Sequence, residues 1–355
     1  MTPLGEKLIA RIRAAGPVTV ADYMAACLGD PAYGYYMRRE PFGRYGDFVT
    51  APEVSQMFGE LIGVWAIVAW ESLGSPRRFV LAELGPGRGT LMADLARIVR
   101  VKPAFPEAVE IHLVETSPRL RAVQEKTLAG TGMAIRWHES IATLPELPTI
   151  IVANEFFDAL PVRQFVWSGE AWSERMIGLG ADGKLTMGLR PVDQPSPASA
   201  LPAGAVVEIS PIGTAIMGEI AGRLARLGGA ALVIDYGSDR PGFGDTLQAV
   251  QAHQYADPLA EPGEADLTAH VDFTALAKAA RASGAETRPV ITQAVFLDRL
   301  GLARRAGTLM AGKDEATRKA IEAAVERLTG PRAMGDLFKV LAIGSPGLAL
   351  PGFDS

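Results

Sequence analysis

The residues best placed to do chemistry begin with Glu83-Leu84-Gly85-Pro86-Gly87-Arg88-Gly89-Thr90, which joins the apolar run Phe79–Leu84 to a helical pattern over 91–100. Glycines at such a turn let backbone N–H groups approach a ligand, and the helix start that follows favours a carboxylate or phosphate. A dinucleotide turn needs G-x-G-x-x-G, but here Thr90 stands in the last glycine slot and the third glycine comes one position early. Glu115 closes the next apolar run, where a carboxylate can accept two hydrogen bonds from vicinal ribose hydroxyls. The plainer account is a glycine turn that serves helix–sheet packing, with Glu115 solvated at a strand end. Two acids at neighbouring strand ends favour the ligand, because open α/β sheets bind ligands there.

The spacing of Glu83, Gly85, Gly87 and Gly89 fits the E/D-x-G-x-G-x-G turn of class I methyltransferases. A third constellation, Ile151-Val-Ala-Asn154-Glu155-Phe156-Phe157-Asp158-Ala159-Leu160-Pro161, ends the fourth predicted strand and so faces the reactive part of a cofactor lying over the first. Methyl transfer from a sulfonium is an in-line displacement, so proximity of nucleophile and methyl carries most of the catalysis, roughly 7–11 kcal/mol. Asn154 is placed to hold the acceptor, and Glu155 or Asp158 to orient it. A guanidinium acceptor, with a pKa above about 12, resists simple deprotonation and would pair with such carboxylates. Against this, Asn154 and Glu155 can cap the following turn, and Asp158 can be a capping acid before Pro161. Asp235 ends a fifth strand, Asp272 reads as a helix cap, and His270 reads as surface or site.

The elements that must position these residues alternate. Phe79–Leu84, Ile111–Glu115, Ile135–His138, Thr149–Ala153 and Ala231–Asp235 read as strands separated mostly by helical stretches, which predicts an α/β, mostly parallel, doubly wound Rossmann-like sheet. Ser117-Pro118 and Ser210-Pro211 each sign a helix start. Residues 1–78 read as a helical N-terminal region covering the site, with helices at Leu4–Ala14, Val20–Cys27 and from Pro52 to Leu73. Thr50 and Glu53 form a capping box for the last of these, with Val49 and Val54 as a staple. Residues 79–355 read as the cofactor-binding domain, interrupted by a β-hairpin or meander and loop at about 162–205 and an irregular stretch at 240–272. The tail adds helices near Leu297–Arg305 and Glu315–Thr329 and a last strand, Phe338–Ile343.

Composition narrows the classes. At 355 residues and 48% hydrophobic, the chain can bury a large core without staples. One cysteine, Cys27, forbids an internal disulfide, and four histidines without an H-x-x-x-H pair do not read as a metal site. A formal charge of −5 argues against a nucleic-acid partner held by phosphate contacts. The apolar run Leu61–Trp70 is far short of the ~20 residues that span a bilayer, so no membrane insertion is expected. The start, Met1-Thr2-Pro3-Leu4-Gly5-Glu6-Lys7, reads as folded protein, which suggests a bacterial cytoplasmic chain, or a mitochondrial matrix one if eukaryotic.

Longer blocks add a resemblance across most of the chain. Gly46-Asp-Phe-Val-Thr50-Ala-Pro-Glu53-Val-Ser-Gln-Met-Phe-Gly59, Glu83-Leu-Gly-Pro-Gly87, Asn154-Glu-Phe-Phe-Asp-Ala-Leu-Pro161, and Asp257-Pro-Leu through Asp266-Leu-Thr-Ala-His-Val-Asp-Phe273 resemble the MidA-like methyltransferases. Mitochondrial members of that family assist respiratory complex I assembly by dimethylating an arginine of one subunit. The resemblance implies S-adenosylmethionine cradled by Glu83, Gly85, Gly87 and Glu115, with Thr50 and Glu53 bordering the site. It also implies a protein arginine acceptor, in a complex I subunit. Two other readings compete: a nicotinamide-dependent oxidoreductase, which shares the glycine turn and ribose acid, and an assembly chaperone that binds cofactor without chemistry. The early third glycine and the absence of an evident hydride-transfer His/Lys pair place the oxidoreductase second.

Overall fold

The computed structural model describes residues 1–39, 49–193, 201–240 and 242–353. They fall into two compact units, one of Val49–Phe157, Ala215–Asp239 and Phe273–Ser355, the other of Met1–Phe48, Asp158–Thr214 and Arg240–Asp272. The expected loop over Gly46–Phe48 and most of the Pro/Ser/Ala loop after 193 lie outside the described residues.

The larger unit holds the predicted sheet. Its six longer strands, numbered among themselves, are β1 (Phe79–Leu84), β2 (Val109–Val114), β3 (Ile135–His138), β4 (Thr149–Asn154), β5 (Gly229–Ser238) and β6 (Phe338–Gly344). The spatial order is β6-β5-β4-β1-β2-β3, parallel except for β6, which runs antiparallel to β5. Every residue of β1 and β4 is buried, as helix-covered parallel strands require. The chain winds outward through β2 and β3 and then returns to place β4 on the other flank of β1. This reversal opens a crevice at the carboxyl ends of β1 and β4.

The sequence expected one helix from Pro52 to Leu73; the structure has two, Ala51–Val54 and Gln56–Ser72, broken at Ser55, whose backbone is extended (φ −163°, ψ 139°). Ser55 caps the second by accepting from the Met57 N–H at 3.2 Å. The expected Thr50/Glu53 capping box does not form: Thr50 makes no side-chain cap, and the Glu53 carboxylate reaches Thr90 instead. The long helix packs Phe58, Ile62, Trp65 and Ala66 into the core formed by Leu81, Ile150 and Val152. The larger unit therefore begins at Val49, ahead of the boundary at 78 expected from the sequence. A predicted helix near Leu297–Arg305 is also two, Gln293–Arg299 and Leu302–Met310, separated by left-handed Gly301.

The second unit has its own core, Leu4, Leu8, Tyr23, Met24, Ile177 and Leu267 among its members. Helices Pro3–Ala15 and Val20–Gly29 accompany the predicted meander, Arg163–Trp167, Trp172–Leu179 and Leu185–Val192, all antiparallel. The stretch expected to be irregular at 240–272 is partly ordered as a small antiparallel sheet of Gln248–Gln251, Gln254–Ala256 and Asp266–Thr268. Strands of three and four residues are too short to show a period.

Candidate active site

The glycine turn leaves β1 beside the end of β4, because Leu84 pairs with Ala153. Gly85, Gly87 and Gly89 all hold positive φ, at 60°, 52° and 81°. That region costs an L-residue about 1–2 kcal/mol. Gly85 also meets a steric limit, since a Cβ there would stand 2.8 Å from the Phe156 ring. The helix Thr90–Ile98 starts directly on Gly89 with no side-chain cap from that residue.

Glu83 lies 3% exposed at the end of β1. Burial pushes its carboxyl up to about 8, opposed only by a hydrogen bond from the Met92 N–H. Its Oε2 has no hydrogen-bond partner. Glu115 follows β2 and is likewise buried, which raises its pKa, while hydrogen bonds work against that rise. Its Oε1 accepts from the Ser117 N–H at 2.8 Å, and its Oε2 from Gln124 Nε2 at 3.1 Å. Ser117 also caps the helix Pro118–Leu128, as its sequence signature predicts.

Gln124 links two of the predicted site residues, which the motifs did not reveal. Its Nε2 also donates to the Gly87 carbonyl at 2.9 Å, and its Oε1 accepts from Trp137 Nε1 at 2.8 Å. One amide thus ties the glycine turn to Glu115. The available signal was its place between Leu120 and Leu128, a polar residue within an apolar i, i+4 stripe.

At the end of β4, Asn154 Nδ2 donates to Glu155 Oε1 at 3.0 Å, and the same oxygen accepts from the Ala51 N–H at 3.0 Å. A carboxylate can only accept, so this contact fixes which end of the amide is the NH₂. Asn154 Oδ1 is left buried without a partner. Glu155 itself holds φ +51°, a conformation that costs a non-glycine residue about 1–3 kcal/mol. The turn is braced from β5, where the Asp235 carboxylate accepts from the Phe156 and Phe157 N–H groups at 3.1 and 2.9 Å. The sequence marked Asp235 as a strand end and missed this brace.

Thr50 begins the short helix Ala51–Val54, and Glu53 accepts from Thr90 Oγ1 at 2.5 Å, which joins that helix to the glycine turn. The larger unit therefore brings together Thr50, Glu53, Glu83, Gly85, Gly87, Gly89, Glu115, Asn154 and Glu155. Asp158 belongs to the other unit, where it is buried, its carbonyl accepts from the Ala269 N–H at 3.0 Å, and its charge acts on Tyr36. Tyr36 there donates to Asp266 at 2.9 Å; burial, Asp266 and Asp158 together hold its phenol well above its ordinary pKa.

Two orphaned buried polar atoms, Glu83 Oε2 and Asn154 Oδ1, with a Cβ-free cradle against Phe156, fit a ligand that brings polar partners for both. Comparison with known proteins identifies such a ligand. Residues 61–291 match the family model of S-adenosyl-L-methionine-dependent methyltransferases. The mouse mitochondrial protein arginine methyltransferase NDUFAF7 is 37% identical, covering 97% of this chain and 84% of its own. The human protein of the same name is 36% identical over 97% and 83% of the two chains, and the Drosophila homolog 36% over 96% and 84%. A Burkholderia thailandensis protein crystallised with S-adenosyl-homocysteine superposes with a TM-score of 0.83 at 29% identity, covering 99% of this chain and 92% of that one. The sheet is thus that of a class I methyltransferase and the cofactor is S-adenosylmethionine, which displaces the nicotinamide reading. By motif, fold and relatives alike, this chain belongs to the family of S-adenosyl-L-methionine-dependent methyltransferases.

Proposed function

We propose that the chain methylates a guanidinium nitrogen of an arginine in a protein, and that Asn154 presents the acceptor. The observation that carries the assignment is the buried, unpartnered Asn154 Oδ1 at the end of β4, beside the glycine turn. The relatives' names as protein arginine methyltransferases support the choice of acceptor. When bound, S-adenosylmethionine would supply a sulfonium methyl open to in-line attack by a nitrogen, with the thioether S-adenosylhomocysteine leaving and the nitrogen giving up one proton. Glu83 and the N–H groups of Gly85, Gly87 and Gly89 would hold its charged end, and Glu115, set by Gln124, its ribose. Thr50 and Glu53 border the same turn through Thr90.

Asn154 Oδ1 accepts an N–H of the guanidinium and aims one nitrogen. Glu155 acts through it, because the carboxylate that takes Nδ2 turns Oδ1 toward the acceptor. A carboxylate paired with the guanidinium would draw its charge away from the nitrogen that must attack; Asp158, expected there from the sequence, belongs to the other unit and is given no part in the transfer. By the family resemblance, the acceptor protein is a respiratory complex I subunit. The relatives are named as mitochondrial, and no helix among the described residues here is long and apolar enough to cross a membrane.

The test is to incubate the purified chain and a whole-cell lysate with methyl-deuterated S-adenosylmethionine and analyse the hydrolysed protein by mass spectrometry. Label in methylarginine, lost with Asn154→Ala while calorimetric S-adenosylhomocysteine affinity is kept, is the expected result. Label only in lysine or in small molecules, or none at all, would overturn the arginine acceptor, and full activity of the variant would remove Asn154 from its role.

A further inference from the structure

The side chain of Gln124 joins parts of the larger unit that the sequence keeps far apart. From the helix Pro118–Leu128, its Nε2 donates to the Gly87 carbonyl, in the turn after β1, and to Glu115 Oε2, just past the end of β2. Its Oε1 accepts the indole N–H of Trp137, which comes from β3. Gln124 is wholly buried, so no water can replace a bond that is lost here.

A side-chain amide can be turned end for end without changing its shape, and two of these partners decide which way it lies. The indole N–H can only donate, and the Gly87 carbonyl can only accept. Reversal would set the amide NH₂ against the indole N–H and the amide oxygen against the Gly87 carbonyl, leaving buried groups unpaired on both sides. Trp137 thus fixes the amide, and the amide fixes the spacing of the glycine turn from Glu115.

Glu115 is held on its other sides as well. Its N–H donates to the His138 carbonyl at 2.9 Å, its carbonyl accepts from Arg121 Nε at 2.8 Å, and its Oε1 accepts from the Ser117 N–H. Gln124 is the contact that carries this order across to the turn. A ligand that touches both segments binds more weakly when it must order them itself.

We propose that Trp137 and Gln124 are a pair of positioning residues that preorganise the S-adenosylmethionine site, setting affinity for the cofactor rather than the rate of methyl transfer. The proposal rests on the assignment of Gly87 and Glu115 to the cofactor. β1 and β2 stand between β3 and β4, at whose end the acceptor is assigned to bind, so the pair leaves the transfer step itself alone.

The experiment is calorimetric titration of the full chain with S-adenosylhomocysteine, in the wild type and in Trp137→Phe, Gln124→Met, Gln124→Glu and Glu115→Ala. Trp137→Phe keeps an aromatic ring at a half-buried position and removes only the N–H donor, so it decides the matter even where a Gln124 variant does not fold. It should weaken binding about tenfold. Gln124→Glu, which sets a carboxylate against the Gly87 carbonyl, should weaken it more than Gln124→Met. In the lysate assay the KM for S-adenosylmethionine should rise in step, while the rate at saturation stays within about twofold of the wild type. NMR adds a signature that a space-filling role would not move. The Trp137 indole N–H resonance, identified by its loss in Trp137→Phe, should shift when S-adenosylhomocysteine saturates the wild type and stay in place in Gln124→Met. Full affinity in Trp137→Phe, wild-type affinity in both Gln124 variants, an indole resonance that ignores the ligand, or a fallen rate at saturation with unchanged KM would overturn the pair while Glu115→Ala still weakens binding. No binding by the wild type, or unchanged affinity in Glu115→Ala, would instead overturn the cofactor assignment and the proposal with it.

Discussion

At the scale of single residues, Glu83 carries a charge question that the sequence could not pose. Its type and place in the turn were legible from the motif, but its burial was not, and burial moves its pKa to about 8. A raised folded pKa means that the folded state keeps a proton the unfolded chain, near 4.5, has released. The stability this proton brings is full below about pH 4.5 and is lost as pH rises through about 8. Glu83→Gln keeps the neutral form at every pH. The melting temperature of the ligand-free variant should therefore gain on the wild type steadily from pH 5 to pH 8.5. A constant offset would show that Glu83 does not titrate in that range. Asp94, pushed up to about 6 mainly by burial, slopes the same way but is common to both proteins and cancels. Gln124, Asp235 and the orientation of the Asn154 amide stayed hidden for one reason: a residue's type gives its hydrogen-bonding groups, and only the fold gives their partners.

At the scale of elements, strand positions were readable because buried parallel strands are short apolar runs, and β1 and β3 begin and end where the pattern puts them. Breaks within helices were less readable. Apolar periodicity runs through Ser55 without a gap, and its role as a cap shows only in the backbone. The same helix hides a packing device: Gly59 and Gly63 lie against the helix Thr90–Ile98, where an added Cβ would stand 2.6 Å from Asp94 Cβ and 2.1 Å from Ile98 Cγ2. An alanine in a helix interior normally gains about 1 kcal/mol over glycine, whereas overpacking costs about 1–3 kcal/mol. Gly63→Ala should thus lower the thermal stability despite its better propensity. Gly307, in the helix Leu302–Met310 with nothing within 4 Å of its missing Cβ, is the control, and Gly307→Ala should raise it. Shifts of the same sign in the two variants would mean that propensity, not contact, governs both positions.

At the scale of the whole molecule, periodicity marks which faces are apolar but not which faces meet. Leu4, Tyr23, Ile177 and Leu267 share one core although they lie in three separate stretches of chain. No local pattern links them. The residues assigned to S-adenosylmethionine, by contrast, all fall within the unit that holds the sheet. A ligand that binds only the folded state stabilises what it binds by RT ln(1 + [L]/Kd), about 2.7 kcal/mol at a hundredfold excess over Kd. Two units with separate cores can open separately. Amide hydrogen exchange with S-adenosylhomocysteine at that excess should therefore slow by up to about a hundredfold in β1 and β4. Exchange in Trp172–Leu179 of the other unit should stay unchanged. Equal slowing in both would show that the chain opens as one cooperative body. Slowing in neither would mean that the ligand is not held by the glycine turn and Glu115, and would count against the cofactor residues assigned above.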